Sequence, residues 1–246
     1  QDLERPLKAR TTGLADLSDS VLSTTAEFEA AISDLTLAGT ASTARGDAGW
    51  DTDVTASGLG GSFTVAITPA DRDATFALDG LSIPQLARLI GRPATEGSLS
   101  GEGRFGVVND HIEGTASISI DDLRSPVSDS EPVSVLTEIV LAGEELTITL
   151  GATEGGLTGE ARLAGPVETF PSAPFITYPP AVPLSGTADL RGEIGPIIEI
   201  FLPARTNMAG QIETDLRFTV PSTPNGMQGQ IALTNGAFEQ GALGLE

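Results

Sequence analysis

The chain contains no cysteine, a single histidine (His111), one tryptophan, one tyrosine and nine phenylalanines among 246 residues. Without thiols there can be no disulfide, thiolate nucleophile or zinc–cysteine centre, and cysteine-free chains suit reducing and oxidising compartments alike. One imidazole leaves little room for histidine-based chemistry. Positive charge is equally scarce: 13 Lys+Arg stand against 34 Asp+Glu, a net charge of −21. Such a field repels phosphate and argues against nucleic acid or an anionic membrane surface as partner. Long apolar runs are also missing. The best stretch, IGPIIEIFLPA, is broken by Pro196 and Glu199 and falls short of the roughly 18 residues that a spanning helix requires.

What remains is a turn-rich, acidic chain in which 39% of residues are hydrophobic, enough for an ordered fold. Its dominant pattern has period two, which puts alternate side chains on one face of a strand. GSFTVAIT sets Phe63, Val65 and Ile67 against Ser62, Thr64 and Thr68, and ATFALDG continues with Phe76 and Leu78. IEGTASISI aligns Ile112, Ala116, Ile118 and Ile120, and EELTITL aligns Leu146, Ile148 and Leu150. In the last third Leu184, Ala188 and Leu190, then Ile212, Leu216, Phe218 and Val220, then Met227, Ile231 and Leu233 fall in phase. Short Gly, Asn or Pro turns between these runs predict antiparallel meanders and not βαβ crossovers.

Only two segments carry helical signals. LSIPQLARLIGRP offers Ser82 as N-cap, Pro84 in the first turn, apolar Ile83, Leu86, Leu89 and Ile90, and Gly91 as a stop, predicting a helix over 83–90. GPIIEIFLP (195–203) fits a short helix or a strand. The stretch 14–37 mixes periods, and 26–43 reads as strand. Four prolines in SAPFITYPPAVP (172–183) predict an extended connection between an N-terminal block, 1–171, and a C-terminal block, 184–246. Leu99-Ser100-Gly101 recurs as Leu184-Ser185-Gly186, a weak internal repetition. The chain opens without Met and ends within a strand-like pattern, so both ends read as cuts in a longer protein.

Motifs that could carry chemistry have plainer explanations. Gly101-Glu102-Gly103-Arg104-Phe105-Gly106 spells a dinucleotide fingerprint but has neither the preceding hydrophobic strand nor the following helix that the fingerprint needs, so the glycines belong to a strand or bulge. His111 beside Asp110 and Glu113 reads as a turn, because no nucleophile is indicated. Asp47, Asp51, Asp53, Asp121 and Asp122 match no calcium-loop spacing and read as solvated acids. No catalytic residue, metal site or cofactor is expected. The unexplained feature is the separation of oil from acid. The strands present a nearly uncharged face thinned by small residues, as if to leave room for a guest.

The C-terminal block adds a resemblance. The Leu184-x-Gly186 strand opener resembles the C-terminal conserved domain of the TamB family of Gram-negative bacteria, relatives of the AsmA-like bridge proteins. So does the run from Val220 and Pro221 through Gly229, Ile231, Leu233, Asn235, Gly236, Phe238 and Glu239 to Gly241, Leu243 and Gly244. The likeness is best over 180–246, extends to 76–165 through its echoes, and is compositional over 1–60. It implies an all-β fold with one or two short helices: an elongated antiparallel sheet curled into a β-taco, an open trough with an apolar concave face. It also implies a periplasmic location, an inner-membrane anchor outside this chain, and a TamA-like outer-membrane barrel partner met through regions not present. The implied role is non-enzymatic, shielding phospholipid acyl chains or nascent outer-membrane strands during outer-membrane biogenesis and autotransporter assembly.

The expected groove-lining residues are Phe63, Val65, Ile67, Phe76, Leu78, Phe105, Ile118, Ile120, Leu146, Ile148, Leu150, Leu216, Phe218, Ile231, Leu233 and Phe238. Two other classes compete. One is a closed β-sandwich or β-solenoid of adhesin type, stabilised by calcium, and the other is a β-helical glycan-active enzyme needing two positioned carboxylates.

Overall fold

The computed structural model describes residues 7–16, 23–32, 35–46, 49–68, 72–89, 95–124, 131–152, 156–169, 176–177, 182–195, 206–220 and 226–240. Alternation of apolar and polar residues produces strands almost throughout. β1 (Leu7–Asp16), β2 (Ser23–Ile32), β3 (Leu35–Gly46), β4 (Gly49–Gly58), β5 (Gly61–Thr68) and β6 (Asp73–Ser82) precede the short helix α1 (Ile83–Leu89). β7 (Glu96–Val108), β8 (His111–Arg124), β9 (Val133–Ala142), β10 (Glu145–Ala152) and β11 (Leu157–Pro166) follow. After two-residue strands β12 (Glu168–Thr169) and β13 (Ile176–Thr177) come β14 (Leu184–Glu193), β15 (Thr206–Val220) and β16 (Met227–Gln240).

Fourteen of these strands form one sheet in the order β1-β2-β3-β4-β5-β6-β7-β8-β9-β10-β11-β14-β15-β16, each antiparallel to its neighbours. The sheet does not close: β1 and β16 are its two margins. The stretch 26–43 is two strands, β2 and β3, paired with Ile32 opposite Leu35. The two residues between them, Ser33-Asp34, include no Gly, Pro or Asn to announce a turn. The expected blocks 1–171 and 184–246 share this sheet, because β11 pairs directly with β14 from Leu157↔Gly192 to Ala164↔Ser185. Nor is the connection simply extended, since Ile176–Thr177 folds back to pair with Glu168–Thr169. Helix α1 forms with Pro84 in its first turn, as its sequence signals predict, and its Ala87 is buried against β6 and β7. In the second helical candidate only Gly195 is described, as helical; 196–203 lie outside the described residues.

A single layer of this size should be poorly buried, and it is. The accessible surface is 15521 Å², about half again the roughly 10300 Å² expected for a compact monomer of 25.2 kDa. Among the described residues the one further sheet is the β12–β13 pair, two residues to a strand, set at the strand ends; none spans the first as a sandwich would require. One face is nevertheless the more protected. Among the described side chains, every strand residue of the fourteen-stranded sheet that is a buried hydrophobe (Leu35, Ala56, Leu81, Ala116, Val133, Leu141, Leu157, Leu184) projects to the same side. On β6 the residues of that side, Ala74, Phe76 and Leu78, are half-buried while Thr75, Ala77 and Asp79 are exposed. In an uncovered sheet this asymmetry means curling, with the protected face inside.

Glycine makes the curl possible. Gly159 and Gly192 sit at φ 137° and 133°, a region essentially restricted to glycine. A Cβ at either would strike backbone of the facing strand, Asp189 or Gly156. Gly151 has ordinary φ and open space around its missing side chain. Gly159→Ala and Gly192→Ala should each lose about 1–3 kcal/mol in denaturant unfolding, whereas Gly151→Ala should stay within about 0.5 kcal/mol of the parent.

The sheet also contains a repetition that the Leu-Ser-Gly echo did not locate. Those two copies start β7 and β14, which run in opposite directions. The geometric repeat is the β7–β8 hairpin, which recurs as β15–β16 with every position displaced by 113. The bulge between Glu96↔Arg124 and Ser98↔Asp121 reappears between Ala209↔Ala237 and Gln211↔Thr234. Gly97 (φ 134°) corresponds to Gly210 (φ 142°), and Asp122 (φ 56°) to Asn235 (φ 53°). Phe105↔Gly114 becomes Phe218↔Met227 in the same register.

Candidate functional site: an uncharged inner face

Directly opposed residues of an antiparallel pair share a face, so the register can be followed across the sheet. One row runs Ala26, Ala41, Val54, Val65, Phe76, Gly103, Ala116, Ile139, Ile148, Leu163, Gly186, Phe218 and Met227, from β2 to β16. Rows two residues to either side behave alike. On this inner face, among the described side chains, there is no Asp, Glu or Lys, and one Arg, Arg45, which stands opposite Trp50 where β3 ends. The outer face carries the acids and the other bases: Glu27 and Glu29 on β2, Asp51 and Asp53 on β4, Glu102 and Arg104 on β7, Glu160 and Arg162 on β11, Glu213, Asp215 and Arg217 on β15.

The register brings the expected lining residues from Phe63 through Leu233 onto this one inner face. Phe238 pairs through its backbone with Met208, and its side chain lies outside the described residues. Residues that strand-by-strand reading passed over also belong here. They include Leu35, Val54, Leu81, Leu99, Val135, Ile139, Leu141 and Leu163, visible as the same period-two pattern in less regular runs.

Large side chains on this face stand over glycines of the next strand. Phe76 covers Gly103, Phe105 covers Gly114, Phe218 covers Gly186, and Leu184 covers Gly165. A bare glycine backbone is thereby shielded from water, and the aromatic ring gains a flat apolar seat. The buried Thr214 of the inner face is satisfied locally. Its hydroxyl, on a residue 5% exposed, accepts from Leu190 N–H at 2.9 Å and lies 3.5 Å from the Ala188 carbonyl. Several inner-face hydrophobes remain open to solvent: Ile67, Leu150 and Val220 at 41–43%, and Met227 and Ile231 above 60%.

The ends of the strands are furnished differently. At one end α1 packs on β6 and β7, with Ile83 Cδ1 against Gly97. At the other, Val167 and Thr169 fold across the β8 and β10 ends. There Val167 N–H donates to the Glu144 carbonyl (2.8 Å), and the Thr169 hydroxyl accepts from Ile112 N–H (3.0 Å).

The remaining motifs resolve as structural. Gly101, Gly103 and Gly106 lie within β7, on no helix N-terminus. Asn109 and Asp110, both at positive φ (50° and 65°), form the two-residue turn between β7 and β8, the conformation that primed hairpin turns demand. Asp110 faces Arg72 at 3.8 Å, and the carboxylate nearest His111 is Glu144, 3.8 Å from Nδ1, an imidazole nitrogen that makes no hydrogen bond. Asp121 accepts from Ser119, Asp51 and Asp53 are on the outer face, and Asp47 lies outside the described residues. Among the described residues no three His, Asp or Glu side chains converge as a metal site would need, and no helix is long and apolar enough to cross a membrane.

Two broad depressions, of about 580 and 570 Å³, open on the polar outer face. The first is walled by Thr64, Thr75, Glu102, Arg104, Thr115 and Glu138, and the second by Thr12, Glu27, Glu29 and Thr40. Each has an inner-face glycine, Gly103 or Gly39, in its floor.

No protein-family model matches the chain, and neither a curated protein nor a solved structure matches it. The likeness to the TamB family rests on the sequence motif alone.

Thr214 gives a direct check on how the inner face is held. Thr214→Val keeps shape and removes the hydroxyl that reinforces the Leu190–Thr214 ladder pair by accepting from Leu190 N–H. Chemical denaturation should show a loss of about 0.5–1.5 kcal/mol, against near-neutrality for Thr219→Val on the outer face.

Proposed function

We propose that this chain is a periplasmic part of a TamB-like protein, a non-enzymatic trough whose inner face shields an apolar guest in outer-membrane biogenesis and protein translocation and assembly. The guest is phospholipid acyl chain or nascent outer-membrane strand. An inner-membrane anchor and a TamA-like barrel partner belong to regions outside this chain.

One observation carries the reading: an inner face that, among the described residues, is free of Asp, Glu and Lys, runs without interruption from β2 to β16 and has no second layer over it. A protein that only needed to fold would bury such a face against another sheet or helix. Leaving it open forgoes stabilisation unless something else fills it. Each methylene taken out of water gains about 0.8 kcal/mol, so an acyl chain of roughly 16 carbons has on the order of 12 kcal/mol available before binding costs. A single buried carboxylate along the path would cost several kcal/mol, which supports the reading that the exclusion of charge serves the passenger.

Native mass spectrometry of freshly purified protein should show bound phospholipid, and delipidated protein should take up a fluorescent fatty acid. Ile148→Glu places a charge at the middle of the row, opposite Ile139 and Leu163. It should reduce fatty-acid uptake at least tenfold while the protein stays soluble and β-structured by circular dichroism, because an exposed face tolerates the charge when empty. Protein that carries no lipid, and takes up fatty acid equally well as the Ile148→Glu variant, would remove the basis of the proposal.

A further inference from the structure

Arg45 is the one charged side chain described on the inner face, and its direct partner across the β3–β4 ladder, Trp50, is the chain's only tryptophan. Both are exposed, Trp50 by 43%. They stand where β3 ends and β4 begins, on the rim of the trough at the strand ends away from α1. A charge in a lining that otherwise excludes charge calls for a reason, and an internal ion pair does not supply one. Arg72 is matched by Asp110, Arg104 by Asp73, Arg124 by Glu96 and Arg191 by Asp189. Arg162 and Arg217 share the outer face with Glu160 and Asp215. Arg45 has no ion pair among the described residues, and the acids of β4, Asp51 and Asp53, project to the opposite side.

Polarity falls in tiers inward from this rim. Two residues in from Arg45 and Trp50 comes the pair Thr43 and Thr52, and the Thr43 hydroxyl lies 2.8 Å from that of Thr24. Two residues further comes Ala41 with Val54, whose row continues through Val65 to Phe76. Successive tiers are about 7 Å apart along the strands. Charge, hydroxyl and oil thus follow one another as head, linkage and tail do in an acyl amphiphile. The guanidinium is a permanently charged planar fork that suits carboxylate or phosphate, and the indole is an apolar body carrying one N–H. Both side chains are donors only, so the pair matches an anion. The chain's net charge of −21 repels small free anions; burial of a tail in the apolar rows is what brings an anionic head to the rim.

We infer that Arg45 and Trp50 form a head-group site, and that the guest of the trough is an acyl amphiphile with an anionic head, carboxylate or phosphate, seated at this rim with its tail over the row from Ala41 to Phe76. The inference rests on the trough reading and adds to it a ligand class, a polarity and an address.

Binding is measured on the intact chain for a long-chain fatty acid, the alkyl phosphate of equal length and the uncharged alcohol of equal length. The two anions should bind about tenfold more tightly than the alcohol, as one charge-assisted donor at an open rim allows. Arg45→Gln should bring both anions to the level of the alcohol and leave the alcohol unchanged, and inorganic phosphate alone should neither bind nor compete. Because Trp50 is the only tryptophan, its fluorescence reports on this rim and requires no variant. A fatty acid brominated beside its carboxylate should quench it strongly, and one brominated near its methyl end should quench it weakly. If acid, phosphate and alcohol bind equally and Arg45→Gln moves none of them, the head-group site falls and the trough stands. Quenching that is strongest from the methyl end, or displacement of the fatty acid by inorganic phosphate, also overturns the site. If none of the three amphiphiles binds, the trough reading falls and takes the site with it.

Discussion

The constraint on which everything else depends is the restriction of charge to one side of a single-layered sheet. In a strand the side-chain period is two, so one missed residue would transfer a whole row of Asp and Glu to the inner face. The register avoids this even where the ladder is irregular. The bulge between Leu78 and Leu81 changes the numerical parity of β6 yet returns Leu81 to the side of Leu99, and that between Ile120 and Leu123 returns Leu123 to the side of Val133. Bulges that preserve the face while shifting the count are what a continuous lining requires. They also add local twist, bending the strand without exposing a charge inside.

Curvature follows from a second pairing rule, that of bulk over absence. A sheet bends toward a face when that face has less to accommodate, and here the inner rows alternate rings with glycines: Phe76 on Gly103, Phe218 on Gly186. A Cβ at these glycines would collide with the ring that covers them, so the glycine cannot be changed without moving the ring. Phe76, Phe105 and Phe218 serve as local covers for backbone, and the described residues form no deep core that would call for more large aromatics. The same economy accounts for the short roster of buried residues and for the large accessible surface.

Much of this was legible in the sequence, for identifiable reasons. The period-two runs placed Phe63, Val65 and Ile67, or Ile118 and Ile120, on their correct common side because alternation is a local property and needs no knowledge of partners. Helix α1 was legible through Pro84 and its apolar spacing. The β2–β3 hairpin was not, because Ser33-Asp34 is a weak turn signal and the Ala- and Thr-rich strands on either side alternate faintly. The fold-back of Ile176–Thr177 onto Glu168–Thr169 was hidden beneath a proline composition that reads as extended chain. The 113-residue repeat escaped because few identities survive in it, among them Gly97 with Gly210, Arg104 with Arg217 and Phe105 with Phe218. Its clearest mark is geometric, an Asp or Asn in the left-handed region facing a glycine at extended positive φ. Which face would be inside, and that no second layer among the described residues covers it, are properties of the assembled register and are carried by no single segment.

A meander in which each strand touches chiefly its two neighbours is quasi-one-dimensional, and its energetics are those of a stack: intrinsic terms for each hairpin plus a coupling across each ladder. Such an architecture can be lengthened by repeating a hairpin without redesigning a core, because β15 has to fit little beyond β14 and β16. The β7–β8 and β15–β16 pair shows that this chain has used that freedom, keeping the bulge and the register while letting most side chains change. The two devices that do not repeat are α1 and the β12–β13 fold-back, and each sits at a strand end, where it leaves the inner face continuous. Length is therefore added along the direction in which the uncharged face runs. A lining built this way reaches as far as hairpins are added, whereas a closed barrel or sandwich fixes its interior at the moment its edges meet.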